Sequence, residues 1–125
     1  MRLVRTLIVP LALAAPIALA PAAQAADNCA KNNVCLYSAK DARGTVVWQV
    51  PLSQIEKADI TNLNPSVHAE SVRTPLPAGG DCAVGLFPGH GLGGDAKWAN
   101  GRVTNLTGPD SNEPVTVAST YVDCG

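Results

Sequence analysis

The sequence has few of the residues on which catalytic and metal sites depend. Only two histidines occur in its 125 residues, His68 and His90, and neither stands in a recognisable arrangement with a serine or cysteine nucleophile. No C-x-x-C pair is present, and neither histidine is spaced to complete a zinc site with cysteines. Four acidic residues lie in turn-like contexts, where such side chains serve the local backbone geometry: Asp41, Asp95, Asp110 and Glu113. The sequence therefore predicts a protein that is not an enzyme and has no metal or cofactor site.

A long uninterrupted apolar segment is also missing. The apolar run Leu7–Ala20 is broken by two prolines, whereas a membrane-spanning helix needs about 20 consecutive apolar residues. Two arginines precede the run and Ala23-Gln24-Ala25 follows it, which is the pattern of a secretory signal peptide with an A-x-A cleavage site. A buried Ala/Leu helix is the alternative, but nothing else in the chain would cover it. We expect Met1–Ala25 to be a signal peptide and Ala26–Gly125 to be one secreted domain, with no membrane segment after cleavage.

The remaining domain has no excess of basic residues. It contains seven Lys and Arg against ten Asp and Glu, a net charge of −3. A weakly acidic surface does not attract nucleic acid or anionic lipid. Neither is therefore expected as a partner.

All four cysteines, Cys29, Cys35, Cys82 and Cys124, lie in the exported part. An even number of cysteines in a short secreted domain predicts two disulfides, with three possible pairings. A zinc site is the alternative, and the spacing of the cysteines does not favour it.

The chain repeats itself with an offset of 50 residues. Without a gap, this offset aligns hydrophobic, aromatic and glycine positions of the two halves: Val34 with Val84, Leu36 with Leu86, Tyr37 with Phe87, Gly44 with Gly94, Trp48 with Trp98, Val67 with Val117 and Val72 with Val122. Each half has short β-branched and aromatic runs separated by turn residues, and only Leu52–Ile60 suggests a helical turn. We expect an all-β sandwich of two Greek-key motifs, with motif one over 28–74, a link over 75–80 and motif two over 81–125. The paired tryptophans are expected to pack in the core.

The glycines Gly89, Gly91 and Gly94 match the dinucleotide-binding pattern G-x-G-x-x-G. The match is accidental, because the corresponding first-half segment Ser38–Gly44 lacks the pattern. In addition, Asn100-Gly101 predicts a turn where a helix would be needed. These glycines are expected to provide positive φ angles in a folded hairpin.

The positions of Tyr37, Gly44 and Ser71, and of Phe87 and Gly94, resemble the βγ-crystallin Greek key. The segments CLYSA (35–39), SQIEKAD (53–59) and PSVHAESVR (65–73), preceded by the short pair Cys29 and Cys35, resemble the secreted peptidase inhibitors of family I36, typified by the Streptomyces metalloproteinase inhibitor. The likeness implies disulfides Cys82–Cys124 and Cys29–Cys35. The paired Asn/Asp residues of calcium-binding βγ-crystallins are missing at 66–71 and 116–121, so no calcium site is expected.

The likeness to family I36 also implies a function. It places the inhibitory segment in the connection Pro88–Gly94, with the contact residues Pro88, Gly89, His90, Gly91, Leu92 and Gly93. Leu92 is the large apolar side chain there, and His90 would approach the catalytic metal. Four glycines in seven residues predict a poorly held loop. The expected partner is a secreted peptidase, possibly a metallopeptidase, bound by a monomer. The alternative is a secreted βγ-crystallin-type module that binds or associates with the envelope without inhibiting.

Overall fold

A computed structural model of the chain describes residues 28–125, and the predicted signal peptide lies outside the described residues. Strands account for 51% of these residues and helix for 9%, which confirms the all-β class. The elements in chain order are β1 (Asn33–Ala39), a 3-10 turn (Lys40–Ala42), β2 (Arg43–Pro51), helix α1 (Leu52–Lys57), β3 (Thr61–Ala69), β4 (Ser71–Arg73), β5 (Ala83–Phe87), β6 (Lys97–Ala99), β7 (Val103–Asn105) and β8 (Val115–Asp123). Within this part of the chain, no helix is long and apolar enough to cross a membrane.

The eight strands form two four-stranded antiparallel sheets. Sheet A has the order β2-β1-β4-β7, and sheet B has the order β3-β8-β5-β6. The third strand of each half is exchanged, because β3 pairs with β8 and β7 pairs with β4. Each sheet therefore contains strands from both halves of the chain. The classification of each half as a Greek key stays a prediction.

The core lies between the sheets and is built from alternate residues of the central strands. Val34 and Leu36 in β1 are buried, as are their repeat-related counterparts Val84 and Leu86 in β5. This alternation arises because successive side chains of a strand point to opposite faces. Other buried members of the same cluster are Val50, Ile55, Leu63, Ala69, Val72, Leu76, Ala99, Leu106 and Val117. Burying one such side chain contributes about 1.5–3 kcal/mol.

Both disulfides have the pairing that the family likeness implies. Cys29 is bonded to Cys35 and Cys82 to Cys124, and none of the four cysteines is free. The second bond follows from strand pairing: β5 and β8 are antiparallel neighbours with Ala83 opposite Asp123, so the residues just outside this pair meet. The zinc alternative is thereby excluded.

The two tryptophans occupy opposite faces of their sheets, although the sequence repeat aligns them. Trp48 lies opposite Leu36 in the β1–β2 ladder and packs against the core. Trp98 lies opposite Gly85 in the β5–β6 ladder and is 47% exposed. The β1–β2 ladder contains a register shift after Leu36, and a slip of one residue moves a side chain to the other face of a sheet. The prediction of core packing is therefore confirmed for Trp48 and wrong for Trp98.

This difference gives a stability prediction. Trp48→Ala lowers the free energy of unfolding by about 3 kcal/mol, because it removes a large, partly buried side chain that packs against the core. Trp98→Ala lowers it by about 1 kcal/mol, since this ring mainly makes an edge-to-face contact with Phe87, at a centroid distance of 6.1 Å. Urea unfolding of the two variants measures both values. Equal losses would contradict the assignment of opposite faces.

Candidate functional site

The β5–β6 connection, which contains the predicted inhibitory segment, is a compact folded hairpin. Gly91 and Leu92 have φ angles of 64° and 65°, as in the two central residues of a type I′ turn. The Gly93 amide donates to the carbonyl oxygen of His90 at 3.3 Å, and the Gly89 amide donates to the carbonyl oxygen of Gly93 at 2.9 Å. The tip of the loop is therefore closed on itself.

The three glycines of the G-x-G-x-x-G pattern have two different roles. Gly91 and Gly94 have positive φ angles of 64° and 86°, as expected of glycines in a folded hairpin. Gly89 does not have a positive φ angle. A Cβ atom at Gly89 would lie 3.2 Å from the carbonyl oxygen of Gly93, so this glycine permits two backbone segments to approach closely.

Two side chains and one backbone carbonyl group from outside the loop hold it in place. The Ser119 hydroxyl donates to the Gly89 carbonyl oxygen at 2.6 Å and accepts from the Leu92 amide at 2.9 Å. Asn62 Oδ1 accepts from the Gly91 amide at 2.9 Å, and His90 Nε2 lies 3.0 Å from the backbone oxygen of Leu63. The prediction of a poorly held loop is therefore wrong, because these groups bind its backbone from two other strands.

The first-half hairpin is held by an equivalent set of contacts. The Ser71 hydroxyl donates to the Ala39 carbonyl oxygen at 2.5 Å and accepts from the Ala42 amide at 2.9 Å. Asn105 Oδ1 accepts from the Asp41 amide at 2.8 Å. Both central residues of this turn also have positive φ angles, 61° for Asp41 and 56° for Ala42. The two hairpins thus share the same turn conformation and equivalent serine and asparagine hydrogen bonds.

These contacts correct the sequence repeat in its later part. The constant offset of 50 residues assigns Tyr121 as the counterpart of Ser71, but the structure assigns Ser119. Ser71 lies opposite Tyr37 and Ser119 lies opposite Phe87 in the strand ladders. The asparagine that holds each hairpin comes from the other half of the chain: Asn62 of β3 binds the second-half hairpin and Asn105 of β7 binds the first-half hairpin. Sequence reasoning missed Ser119 and Asn62, because the constant offset of 50 residues does not lead to Ser119 and no local pattern marks either residue.

Leu92 combines partial burial with an unusual backbone conformation. A left-handed conformation costs a residue other than glycine about 1–2 kcal/mol, and Leu92 adopts it with a φ angle of 65°. Its side chain is half-buried. The fold requires this conformation in both hairpins, but it does not require a leucine, since the equivalent residue is Ala42. Strain retained in a loop of this kind is a reason to suspect a function.

The two histidines lie on separate elements. His90, in the loop, is exposed. Because a carbonyl oxygen can only accept, its Nε2 donates to the backbone oxygen of Leu63, and in the neutral ring Nδ1 then carries the lone pair. His68 lies on β3 opposite Thr116, with its Nδ1 3.3 Å from the threonine hydroxyl. Among the described residues, no group of three or more His, Cys, Asp or Glu side chains is placed to hold a metal ion.

Comparisons of the chain with protein-family models, with curated proteins and with solved structures found no match. The resemblance to family I36 stays a prediction that rests on the residues quoted above.

Proposed function

We propose that this protein is a secreted peptidase inhibitor, directed at metallopeptidases, that binds through the loop Pro88–Gly94. The observation that carries the proposal is the set of six hydrogen bonds that hold this loop. A loop that already has its bound shape loses less affinity to ordering when it binds. The hydrogen bonds that hold this loop therefore support the proposal.

Two residues at the tip of the loop have distinct roles in this proposal. Leu92 enters a hydrophobic specificity pocket of the peptidase, and the left-handed backbone sets the direction of its side chain. His90 lies two residues earlier and directs the lone pair of Nδ1 towards the catalytic metal, since Nε2 is engaged with Leu63. The loop would occupy the active-site cleft in place of substrate.

The test is inhibition of a thermolysin-like metallopeptidase by the wild type and by two loop variants. We expect Leu92→Gly to raise the inhibition constant at least about tenfold, which corresponds to 1.4 kcal/mol, because it removes the apolar side chain and leaves a residue that tolerates the turn. His90→Ala should also weaken inhibition.

The matched control is Ala42→Gly, which makes the same kind of change in the equivalent first-half turn. It should leave the inhibition constant unchanged. If the wild type fails to inhibit metallo- and serine peptidases at high micromolar concentration, the inhibitor proposal is wrong. If inhibition occurs and Leu92→Gly matches the wild type, the proposed contact loop is wrong.

A second candidate is a secreted binding module that does not inhibit. The closure of the loop by the Gly89–Gly93 bridge favours it, because a short closed turn reaches less far into a cleft than an extended segment. Leu92 is half-buried, which also favours the non-inhibitory module because less of this side chain is exposed to a peptidase. The inhibition assay distinguishes the two functions, since only the first requires an effect on a peptidase.

A further inference from the structure

A groove of about 400 Å³ lies at the beginning of β1, and it shares no residue with the loop Pro88–Gly94. Its lining includes Lys31, Arg73 and Arg102 and also the segment Pro75-Leu76-Pro77. The groove therefore has both cationic and apolar lining residues. Its volume falls within the range of about 300–1,000 Å³ that is usual for small-molecule sites.

The charge of this groove is opposite to that of the protein. Three of the seven basic residues of the 26–125 domain meet here, although that domain has a net charge of −3. No Asp or Glu is among the lining residues that the structure describes, and Glu56 lines an adjoining cavity. A cleft lined by charges of one sign focuses the electric field and raises the local concentration of counter-ions.

The backbone that carries Lys31 is held tightly. Lys31 lies within the loop closed by the Cys29–Cys35 disulfide. Gln49 fastens the same loop: its Oε1 accepts from the Ala30 amide at 3.0 Å and from Asn33 Nδ2 at 2.9 Å. Its Nε2 donates to the backbone oxygen of Asn28 at 3.0 Å.

The two arginines are also carried by fixed backbone. Arg73 belongs to β4, between β1 and β7, and lies opposite Cys35 and Val103. The Thr74 amide donates to the carbonyl oxygen of Arg102 at 3.0 Å, and the buried Thr74 hydroxyl donates to the carbonyl oxygen of Gly101 at 2.6 Å. The backbone of all three residues is therefore fixed, and their long side chains extend from it into the groove lining.

We propose that this groove binds a small phosphate or sulfate ester. The planar forks of the two arginines match the oxygens of a tetrahedral oxyanion, and the lysine adds a point charge. The Pro75-Leu76-Pro77 wall contacts the organic part of the ligand. An extended polyanion such as nucleic acid does not fit, because the net negative charge of the surrounding domain repels it.

Binding of glucose 6-phosphate, measured by isothermal titration calorimetry, tests the proposal. A sugar monosulfate distinguishes sulfate from phosphate, inorganic phosphate tests the need for an organic part, and glucose tests the need for the charge. We expect the sugar phosphate or sugar sulfate to bind, and Arg73→Gln and Arg102→Gln each to weaken binding about tenfold or more.

The matched control is Arg43→Gln, which removes the same charge from an exposed residue of β2 outside the groove. It should leave the affinity unchanged, and thermal unfolding verifies that all three variants fold. Equal weakening by the control would overturn the assignment to this groove, as would the absence of ester binding at millimolar concentration. Equally tight binding of inorganic phosphate would overturn the assignment to an ester.

Discussion

Replacing both Cys82 and Cys124 with serine is expected to lower the free energy of unfolding by about 4 kcal/mol. This is the value that the chain-entropy model gives for the loop closed by the disulfide. The bonded residues are 42 positions apart, and the bond joins the start of β5 to the end of β8. Without it, the unfolded chain gains many conformations. For a domain of this size, a loss of 4 kcal/mol lowers Tm by about 20 °C. Thermal and urea unfolding of the double variant measure the effect.

The Cys29→Ser, Cys35→Ser double variant is the internal comparison. These residues are six positions apart, and the same model gives about 2 kcal/mol for the shorter loop. A larger loss for this pair than for Cys82 and Cys124 would contradict the entropic explanation.

Ser119→Ala is expected to affect both stability and inhibition. It removes two hydrogen bonds of the buried Ser119 hydroxyl, which donates to the Gly89 carbonyl oxygen and accepts from the Leu92 amide. Leaving two partly buried backbone groups unpaired costs about 2–4 kcal/mol. Because the loop loses its attachment to β8, the inhibition constant should rise more than about tenfold, the equivalent of 1.4 kcal/mol.

Ser71→Ala separates these two effects. Ser71 makes the equivalent pair of hydrogen bonds in the first-half hairpin, so its loss should cost similar stability while inhibition is retained. Urea unfolding and inhibition of a thermolysin-like enzyme are measured on both variants. If Ser71→Ala reduced inhibition as much as Ser119→Ala, the loss would reflect general destabilisation, and the proposed loop would not be the contact site.

The all-β class and part of the core were predictable from sequence because they depend on local patterns. Val34, Leu36, Val84 and Leu86, which the repeat aligns, belong to one buried cluster, although the neighbouring residues Cys35 and Tyr37 are buried as well. The different environments of the two tryptophans were not predictable. They depend on a register shift in the ladder between β1 and β2, which changes the face that Trp48 occupies and leaves no recognisable pattern in the sequence near either tryptophan.

The contacts that hold the candidate loop were beyond sequence reasoning for a different reason. Asn62 and Ser119 are 29 and 27 residues from the amides that they bind. They meet the loop only because β3 lies beside β8 and β8 lies beside β5. A serine or asparagine in a strand looks the same in sequence whether or not a backbone amide is within its reach.

The cationic groove was hidden because sequence gives the sum of the charges and not their positions. Arg73 and Arg102 are far apart along the chain, and the pairing of β4 with β7 brings them together. The net charge predicts that nucleic acid is not a partner, but it gives no indication of a local cluster of charges of the opposite sign.

The exchange of β3 and β7 between the sheets determines when the protein can fold. Sheet B includes β3 from the first half and lacks its central strand until Val115–Asp123 is available. Sheet A is incomplete until Val103–Asn105 is available. During synthesis, the first half can pair β2, β1 and β4 by itself, but β3 has no partner strand until β8 has been made. Folding that depends on such distant partners is intrinsically slow. A newly made chain would thus complete the core between the two sheets only after Val115–Asp123 has been made.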